Sequence, residues 1–455
     1  MLKMLSKTLY NFVEVKMKQK REKLMRKLKI SIGMTLIIFL ISLICSCYFP
    51  RVIVSKINSN SMQVDKPITY GINKNEPKIQ GESAVTMDLS DNEVIYSKDP
   101  NAKRYPASLT KLMTAYLFGT HAKPTDEIPY TQSAEEQPQF SLSKNFWPVK
   151  VGETMEAKDV LDGLLLYSAN DTAYMIADYV GGSKKGFANM MNETAQEWGL
   201  KGTHFMNPNG LNNPEHYTTA YDIAIIGEHA YSIPWVRETM NTKYAAIHFN
   251  QTPNQIIHIE NRNANLGKDG NVAGKTGFTF EAGRCLFNVD VRDGKTIVGV
   301  IMKSGENEEN PQIFKDMDKI MNYSFNATPV VYEKAGSVVA VPTMKYKLFG
   351  FFGPNIDLKV PLKLNENIMY YNNGENNEFS KLEVNTDNIS AWDAASNGVK
   401  VNFNELKYNK TYNTTAGVTK SELIEISIFP YIALLSFITL IVLSAIFLIR
   451  NKKVS

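Results

Sequence analysis

Three short constellations in this chain have the residue types needed for acyl transfer. The first is Ser108-Leu109-Thr110-Lys111. A serine hydroxyl is a weak nucleophile until a base removes its proton. Residues i and i+3 of a helix share a face, so the Lys111 amine falls within reach of the Ser108 hydroxyl. A lysine buried beside another cation loses its proton near neutral pH. A helix start also offers backbone N–H groups to developing negative charge. The second is Ser168-Ala169-Asn170, a Ser and an Asn two apart on a predicted break between helices. Such a pair can hold a lysine proton network and orient a substrate amide. The third, Lys275-Thr276-Gly277, occurs once. Gly permits close backbone approach, Thr offers a hydroxyl and Lys a fixed positive charge. On an edge strand they would grip an anionic, extended peptide end by strand-like pairing. None decides the matter alone. Ser141-Leu142-Ser143-Lys144 repeats the first spacing, and Ser90-Asp91-Asn92, Ser143-Lys144-Asn145 and Ser324-Phe325-Asn326 repeat the second. Those three Ser-x-Asn repeats read as turns or surface.

The elements around these residues follow from pattern. Residues 82–97 give two strand-like runs about Ser-Asp-Asn, a hairpin signal. A helix should open after Pro106 near Ser108 and stop at Gly119. Residues 154–167 and 171–180 read as two further helices, and 186–199 as another. Strands return at 283–291 and 296–303 around a tight Arg-Asp-Gly-Lys turn, and 311–325 read as a closing helix. Helices inside flanking antiparallel strands make an α+β layout. Short β-rich runs between Asn/Gly clusters then suggest a small all-β domain over 327–412.

Composition sets the outer limits. A chain of 455 residues exceeds one ordinary core. Residues 1–29 hold ten Lys/Arg and two Glu, so +8 of a net +4 lies there and the remainder sums to −4. A basic nucleic-acid face on the folded part is therefore not expected. Cys45 and Cys47 lie in an apolar run and Cys285 stands alone, so no disulfide framework arises. The six histidines form no HExxH pair; no metal and no cofactor is implied. Residues 30–49 and 426–449 are uncharged and long enough to span a bilayer. Basic residues precede the first and follow the second, which places both ends in the cytoplasm and the middle outside. The first run reads as a retained anchor, with a cleaved signal peptide as the alternative. The expected division is thus a basic cytoplasmic segment 1–29, an anchor 30–49, a linker 50–80 and a catalytic domain 81–326. The β-rich domain 327–412, a stalk 413–425, the membrane helix 426–449 and a basic tail 450–455 follow.

Taken together and in this order, the motifs resemble the serine D-alanyl-D-alanine carboxypeptidases, the low-molecular-mass penicillin-binding proteins. The likeness extends through RYPASLTKLMTAY (104–116), SANDTAYMIADYVGG (168–182), FMNPNGLNNPEHYTTAYDIA (205–224), NRN (261–263) and GKTGFTFEAGRCL (274–286). It implies a penicillin-binding/β-lactamase-like fold and a bacterial cell-membrane enzyme, its catalytic domain extracytoplasmic, that removes the terminal D-Ala from peptidoglycan stem pentapeptides. It further implies that Ser108 is the nucleophile, Lys111 the base and Ser168 the proton relay to the leaving D-Ala. Asn170 would contact the substrate amide, and Lys275 would supply electrostatics. Thr276 and Arg262 become carboxylate anchors, with Gly277 and Thr279 beside them, and the N–H groups of Ser108 and Phe278 the oxyanion hole. β-Lactams would act as inhibitors. Two departures stand out: the 264–274 segment lacks the usual apolar pair after NRN, and Arg284 replaces an aromatic or neutral residue. His216 and Asp222 read as structural, and Cys285 as a buried thiol. The alternatives are a β-lactamase of the same fold, for which no Glu-x-x-Leu-Asn follows Asn170, and a non-catalytic peptidoglycan-binding scaffold.

Overall fold

The computed structural model describes residues 2–59, 63–71, 75–305, 311–350 and 352–452. Apolar, β-branched runs assemble a five-stranded antiparallel sheet in the order Val94–Lys98, Ser83–Asp88, Lys295–Met302, Gly283–Arg292, Asn271–Thr279. Side chains alternate between two buried faces, as the pleat requires. Val298, Val300 and Met302 face the larger helical core, while Ile297 and Ile301 face helix Gln312–Asn326. That helix closes its face with one stripe, Ile313, Met317, Ile320 and Met321. Helices Thr110–His121, Asn170–Gly181, Lys184–Glu197 and Ala220–Ser232 fill the other side, burying Leu112, Met113, Phe118, Ile176 and Ile223 against Phe287. Each such side chain contributes about 1.5–3 kcal/mol. The α+β fold expected from the sequence is the fold observed, and the Lys275 strand is its free edge.

Several local expectations need correction. Thr154–Glu156 is a strand paired with Glu127–Pro129, and the helix starts only at Ala157. Three alternating residues, with Met155 alone buried, are too few to display a strand period. The helix after Ser108 runs through Gly119 to His121, ending ahead of Pro124. Ser324 is neither turn nor surface: it is fully buried and its hydroxyl meets Thr86 Oγ1 at 2.6 Å between helix and sheet.

Beyond Asn326 a second core forms around a five-stranded sheet, Val338–Ala340, Leu362–Leu364, Asn409–Ala416, Lys400–Asn404, Lys381–Val384. Leu358, Val401, Phe403 and Tyr412 are buried there. The region is not all β, because Gly374–Phe379 and Ala391–Asn397 are helical. Nor does a stalk begin at 413: Leu362 to Leu364 pair with Ala416 to Thr414, and the C-terminal helix opens at Lys420. The linker expected at 50–80 lies partly outside the described residues, and the described part makes defined contacts. Helix Leu2–Ser59 carries the chain past Pro50, and the Asp65 and Ile68 amides donate to Val338 and Tyr332 carbonyls. Both pairings are long-range, and no local pattern announces them. Helices Leu2–Ser59 and Lys420–Lys452 lie antiparallel, with Phe39 against Phe437, Phe49 against Phe429 and Lys29 over Phe447. Each contains a run long and apolar enough to cross a membrane.

Candidate active site

The chain reaches Ser108 through a strained step. Ala107, fully buried, holds φ at +46°, and a 3-10 turn Ala107–Leu109 leads into helix Thr110–His121. Such a backbone costs of order 1–3 kcal/mol and persists only where packing enforces it. One turn on, Lys111 is completely buried, and its Nζ lies 3.1 Å from Ser108 Oγ, 3.0 Å from Asn170 Oδ1 and 2.9 Å from the Asn209 carbonyl. Two of these partners are acceptors only. A neutral amine has two hydrogens and one lone pair, so it donates to both carbonyl-type oxygens and turns its lone pair to the serine hydroxyl. The electrostatics favour that form. Burial holds the Lys111 ammonium down at about 7, Arg262 pushes the same way, and Asp171 opposes both. Asp171 is itself buried and raised to about 6 by desolvation, against hydrogen bonds from the Leu142, Ser143 and Thr172 amides.

Ser168 enters from the other wall. A π-helical turn, Gly163–Tyr167, ends in Ser168 at φ +71°, and helix Asn170–Gly181 restarts two residues later. Widened turns of this kind frequently mark functional sites. Ser168 Oγ receives the Lys275 Nζ at 2.9 Å, and that amine also donates to Thr276 O at 2.8 Å. Lys275 is buried, and desolvation, Lys111 and Arg262 all lower its affinity for a proton. Asn170 spends one Nδ2 hydrogen on Gln139 O at 3.0 Å, leaving one hydrogen of that amide.

Strand Asn271–Thr279 forms the third wall. Phe278 stands opposite Arg284, whose N–H donates to Gly305 O and whose carbonyl accepts from Ser304 N, both on the far side. In an antiparallel ladder the opposed residue then turns its own N–H and C=O away from the partner strand. The Phe278 amide therefore points out of the sheet edge. Gly277 brings that edge against the nucleophile turn; a Cβ there would stand 3.0 Å from Ser108 N. The resulting cleft of about 160 Å³ is lined by Ser108, Ser168, Asn170, Arg262, Thr276 and Phe278, with Gly277, Thr279 and Arg284 at its end.

Ser108, Ser168, Asn170, Thr276 and Gly277 thus line one cleft, with Lys111 and Lys275 buried behind it and bonded to Ser108 and Ser168. Arg262 also arrives, its guanidinium 4.8 Å from the Phe140 ring and 5.0 Å from the Tyr167 ring. Arg284 lies over Phe314 at 5.4 Å. His216 sits behind the nucleophile helix. Met206 N donates to its Nδ1, so Nε2 donates to Thr110 Oγ1, and burial drops its pKa to about 3. It is a neutral structural imidazole, and Asp222 accepts from Thr203 Oγ1 and Gly202 N in the same supporting role. The Cys285 thiol is buried and raised to about 11. What sequence reasoning missed is the loop 207–210, whose Asn209 carbonyl completes the Lys111 site. Its signal was the Asn-Pro-Asn-Gly turn, closed here by Asn207 Oδ1 on Gly210 N at 2.7 Å.

Residues 71–306 match the peptidase family described as D-alanyl-D-alanine carboxypeptidase. The D-alanyl-D-alanine carboxypeptidase DacF of Bacillus subtilis is 30% identical over 276 residues, 59% of this chain and 68% of that protein. The crystal structure of the D-alanyl-D-alanine carboxypeptidase from Mycobacterium tuberculosis is 25% identical, covers 58% of this chain and 97% of its own, and superposes with a TM-score of 0.52. DacD from Francisella tularensis, at 22% identity and a TM-score of 0.54, shares the fold over 77% of this chain and 96% of its own. With the cleft built as described and more than half of the sequence matched, the chain belongs to the D-alanyl-D-alanine carboxypeptidase family of bacterial cell-wall serine peptidases.

Proposed function

We propose that this protein removes the terminal D-Ala from peptidoglycan stem pentapeptides through an acyl-enzyme on Ser108. The single observation that carries the assignment is the Lys111 amine, fully buried and hydrogen-bonded to the Ser108 hydroxyl. Neutral Lys111 takes the Ser108 proton as Oγ attacks the carbonyl between the two D-Ala residues. The Ser108 and Phe278 amides receive the oxyanion. Ser168 hands its proton to the leaving amine and is resupplied with the proton that Lys111 took, while Lys275 holds the Ser168 hydroxyl in place; Lys111 is thereby neutral again. Thr276 and Arg262 hold the terminal carboxylate, with Gly277 and Thr279 shaping the strand edge. The second Asn170 hydrogen serves the substrate amide. After D-Ala departs, water takes its place and Lys111 activates it.

A β-lactam acylates the same serine, but its leaving nitrogen stays tethered and occupies the place of that water. Among the described residues lining the cleft there is no carboxylate to serve as another base. Penicillin should therefore inhibit and persist. Fluorescent penicillin is expected to label the wild type and not Ser108→Ala, while the wild type releases D-Ala from diacyl-Lys-D-Ala-D-Ala. Rapid antibiotic turnover would instead indicate a β-lactamase; labelling of the Ser108→Ala protein would remove the serine from its role; and binding without D-Ala release would indicate a scaffold.

The base also sets a pH profile. Lys111 acts unprotonated, so acylation should fall as pH drops through about 7 and level off above it. Arg262 disfavours the ammonium, hence Arg262→Gln should move this acid limb to higher pH, whereas Arg262→Lys should leave it in place. Stopped-flow acylation between pH 5 and 9 reads the midpoint; a midpoint unchanged in Arg262→Gln would contradict the assigned coupling.

The two apolar helices are proposed to cross the cell membrane. Residues 1–29 and the basic tail lie on the cytoplasmic side, and both folded regions outside. Their antiparallel pairing and the charge at their outer ends support this topology.

A further inference from the structure

We propose that the hairpin formed by Thr343–Lys347 and Asn355–Lys359 is a third membrane-contacting element, its aromatic tip lying in the outer leaflet among phospholipid chains. The inference rests on the membrane-spanning reading of the helix pair and adds to it a contact that neither helix makes.

Depth follows from register. Phe39 meets Phe437 and Phe49 meets Phe429, which sets Arg51 roughly level with Ile426. Arg51 and Glu425 are the charged residues that end the two apolar runs on that side. Tyr431 then lies about 7 Å further into the apolar layer, at 1.5 Å per residue. The hairpin tip is attached at that level: Tyr431 Oη donates to Phe349 O at 2.5 Å, its ring meets Phe349 at 5.3 Å and Phe352 at 6.3 Å, and Phe349 stacks on Phe352. The strand lengths agree. The Lys359 amide donates to Asn58 Oδ1, which stands about 10 Å outside Arg51. From there strand Asn355–Lys359 descends about 14 Å at 3.4 Å per residue, ending about 3 Å below Arg51. The turn beyond it, held to Tyr431 through the Phe349 carbonyl, reaches the depth at which interfacial apolar groups bury.

The surface chemistry fits such a position. Phe352 is 40% exposed. Between hairpin and helix lies a cavity of about 520 Å³ walled by Tyr346, Phe349, Trp392, Ile424, Ile428 and Tyr431, almost wholly apolar. In water such a wall would be unfavourable; in a leaflet, lipid chains fill it. Along Thr343–Lys347, Met344 and Tyr346 are buried while Lys345 and Lys347 face outward. Lys347 stands level with Asn355 at the strand end and Lys345 level with Asp357 further out, so both long side chains reach headgroup phosphates, and anionic lipids favour them.

The test uses the full-length protein with Cys45 and Cys47 changed to alanine, Cys285 being buried. Nitroxide labels go on Phe352→Cys at the tip, Phe437→Cys in the helix pair and Asn397→Cys on the outer domain. The proteins are reconstituted in phosphatidylethanolamine–phosphatidylglycerol vesicles, and penicillin acylation confirms that each is folded. The tip label should relax faster with oxygen than with a water-soluble nickel chelate, falling between the other two. A tip label as chelate-accessible as position 397, with position 437 embedded in lipid, would overturn the hairpin proposal and leave the anchors standing. A water-exposed position 437 would refute the spanning reading itself, and this inference with it.

Discussion

Lys111→Ala is expected to slow acylation of Ser108 by on the order of a thousandfold or more, with the protein still folded. General-base loss in acyl transfer has that scale. The structure sharpens the expectation, because Lys111 Nζ is the group that binds the Ser108 hydroxyl in the cleft. His216, the buried imidazole nearest to this helix, is held neutral and donates to Thr110 Oγ1, so it offers no replacement. Lys111→Arg separates charge from basicity. Arginine keeps a cation in the pocket but stays protonated at any pH the protein survives. If Lys111 acted only by its charge, this variant would retain acylation; if it acts as a base, both variants fail alike. Removing the amine strands Asn170 Oδ1 and Asn209 O without their donor, a loss offset by no longer burying a lysine whose proton affinity the site depresses. Melting temperature should therefore move little. Acylation within tenfold of the wild type in Lys111→Arg would remove the proposed base.

What the sequence made legible is chemistry that depends on residue type. Ser108 and Lys111 are legible because helical geometry fixes i and i+3 on one face, and Lys275 because Lys-Thr-Gly occurs once and follows the other two motifs in order. The edge position of that strand was expected from its function and appears in the sheet order. Main-chain contributions were invisible. The third partner of Lys111 is a carbonyl, which every residue possesses, and only the folded loop 207–210 selects Asn209 for the task. Arg262 follows from the resemblance and not from spacing; its guanidinium stands over two rings, Phe140 and Tyr167, remote in sequence from it and from each other. Phe140 itself, at φ +63°, lies on a loop whose following turn is held by hydrogen bonds from the Leu142 and Ser143 N–H groups to the Asp171 carboxylate. The same logic explains the misread ends. Residues 50–59 continue a helix, and 63–70 and 413–416 take up partners distant in the chain, so polar composition alone suggested linker and stalk.

Gly210→Ala is the second large effect expected, and it tests the main-chain half of the site. Gly210 has φ +88°, and a Cβ there would fall 1.8 Å from the Ala107 carbonyl oxygen and 2.5 Å from its carbon. Both are backbone atoms, so no rotamer change relieves the clash. The loop has to retreat, drawing Asn209 O away from Lys111, or Ala107 must give up the left-handed turn that presents Ser108. Either movement misplaces the base or the nucleophile by about an ångström, enough for roughly a hundredfold loss of acylation. The strained backbone adds about 1–3 kcal/mol of destabilisation. Gly182→Ala supplies the control: its φ is +67°, yet nothing lies within 4 Å of the new methyl. It should lower stability by a similar backbone cost and leave acylation unchanged. Measured side by side, the melting temperatures report the shared strain and the acylation rates report the clash. Equal acylation in the two variants would show that Lys111 does not depend on the Asn209 carbonyl for its position.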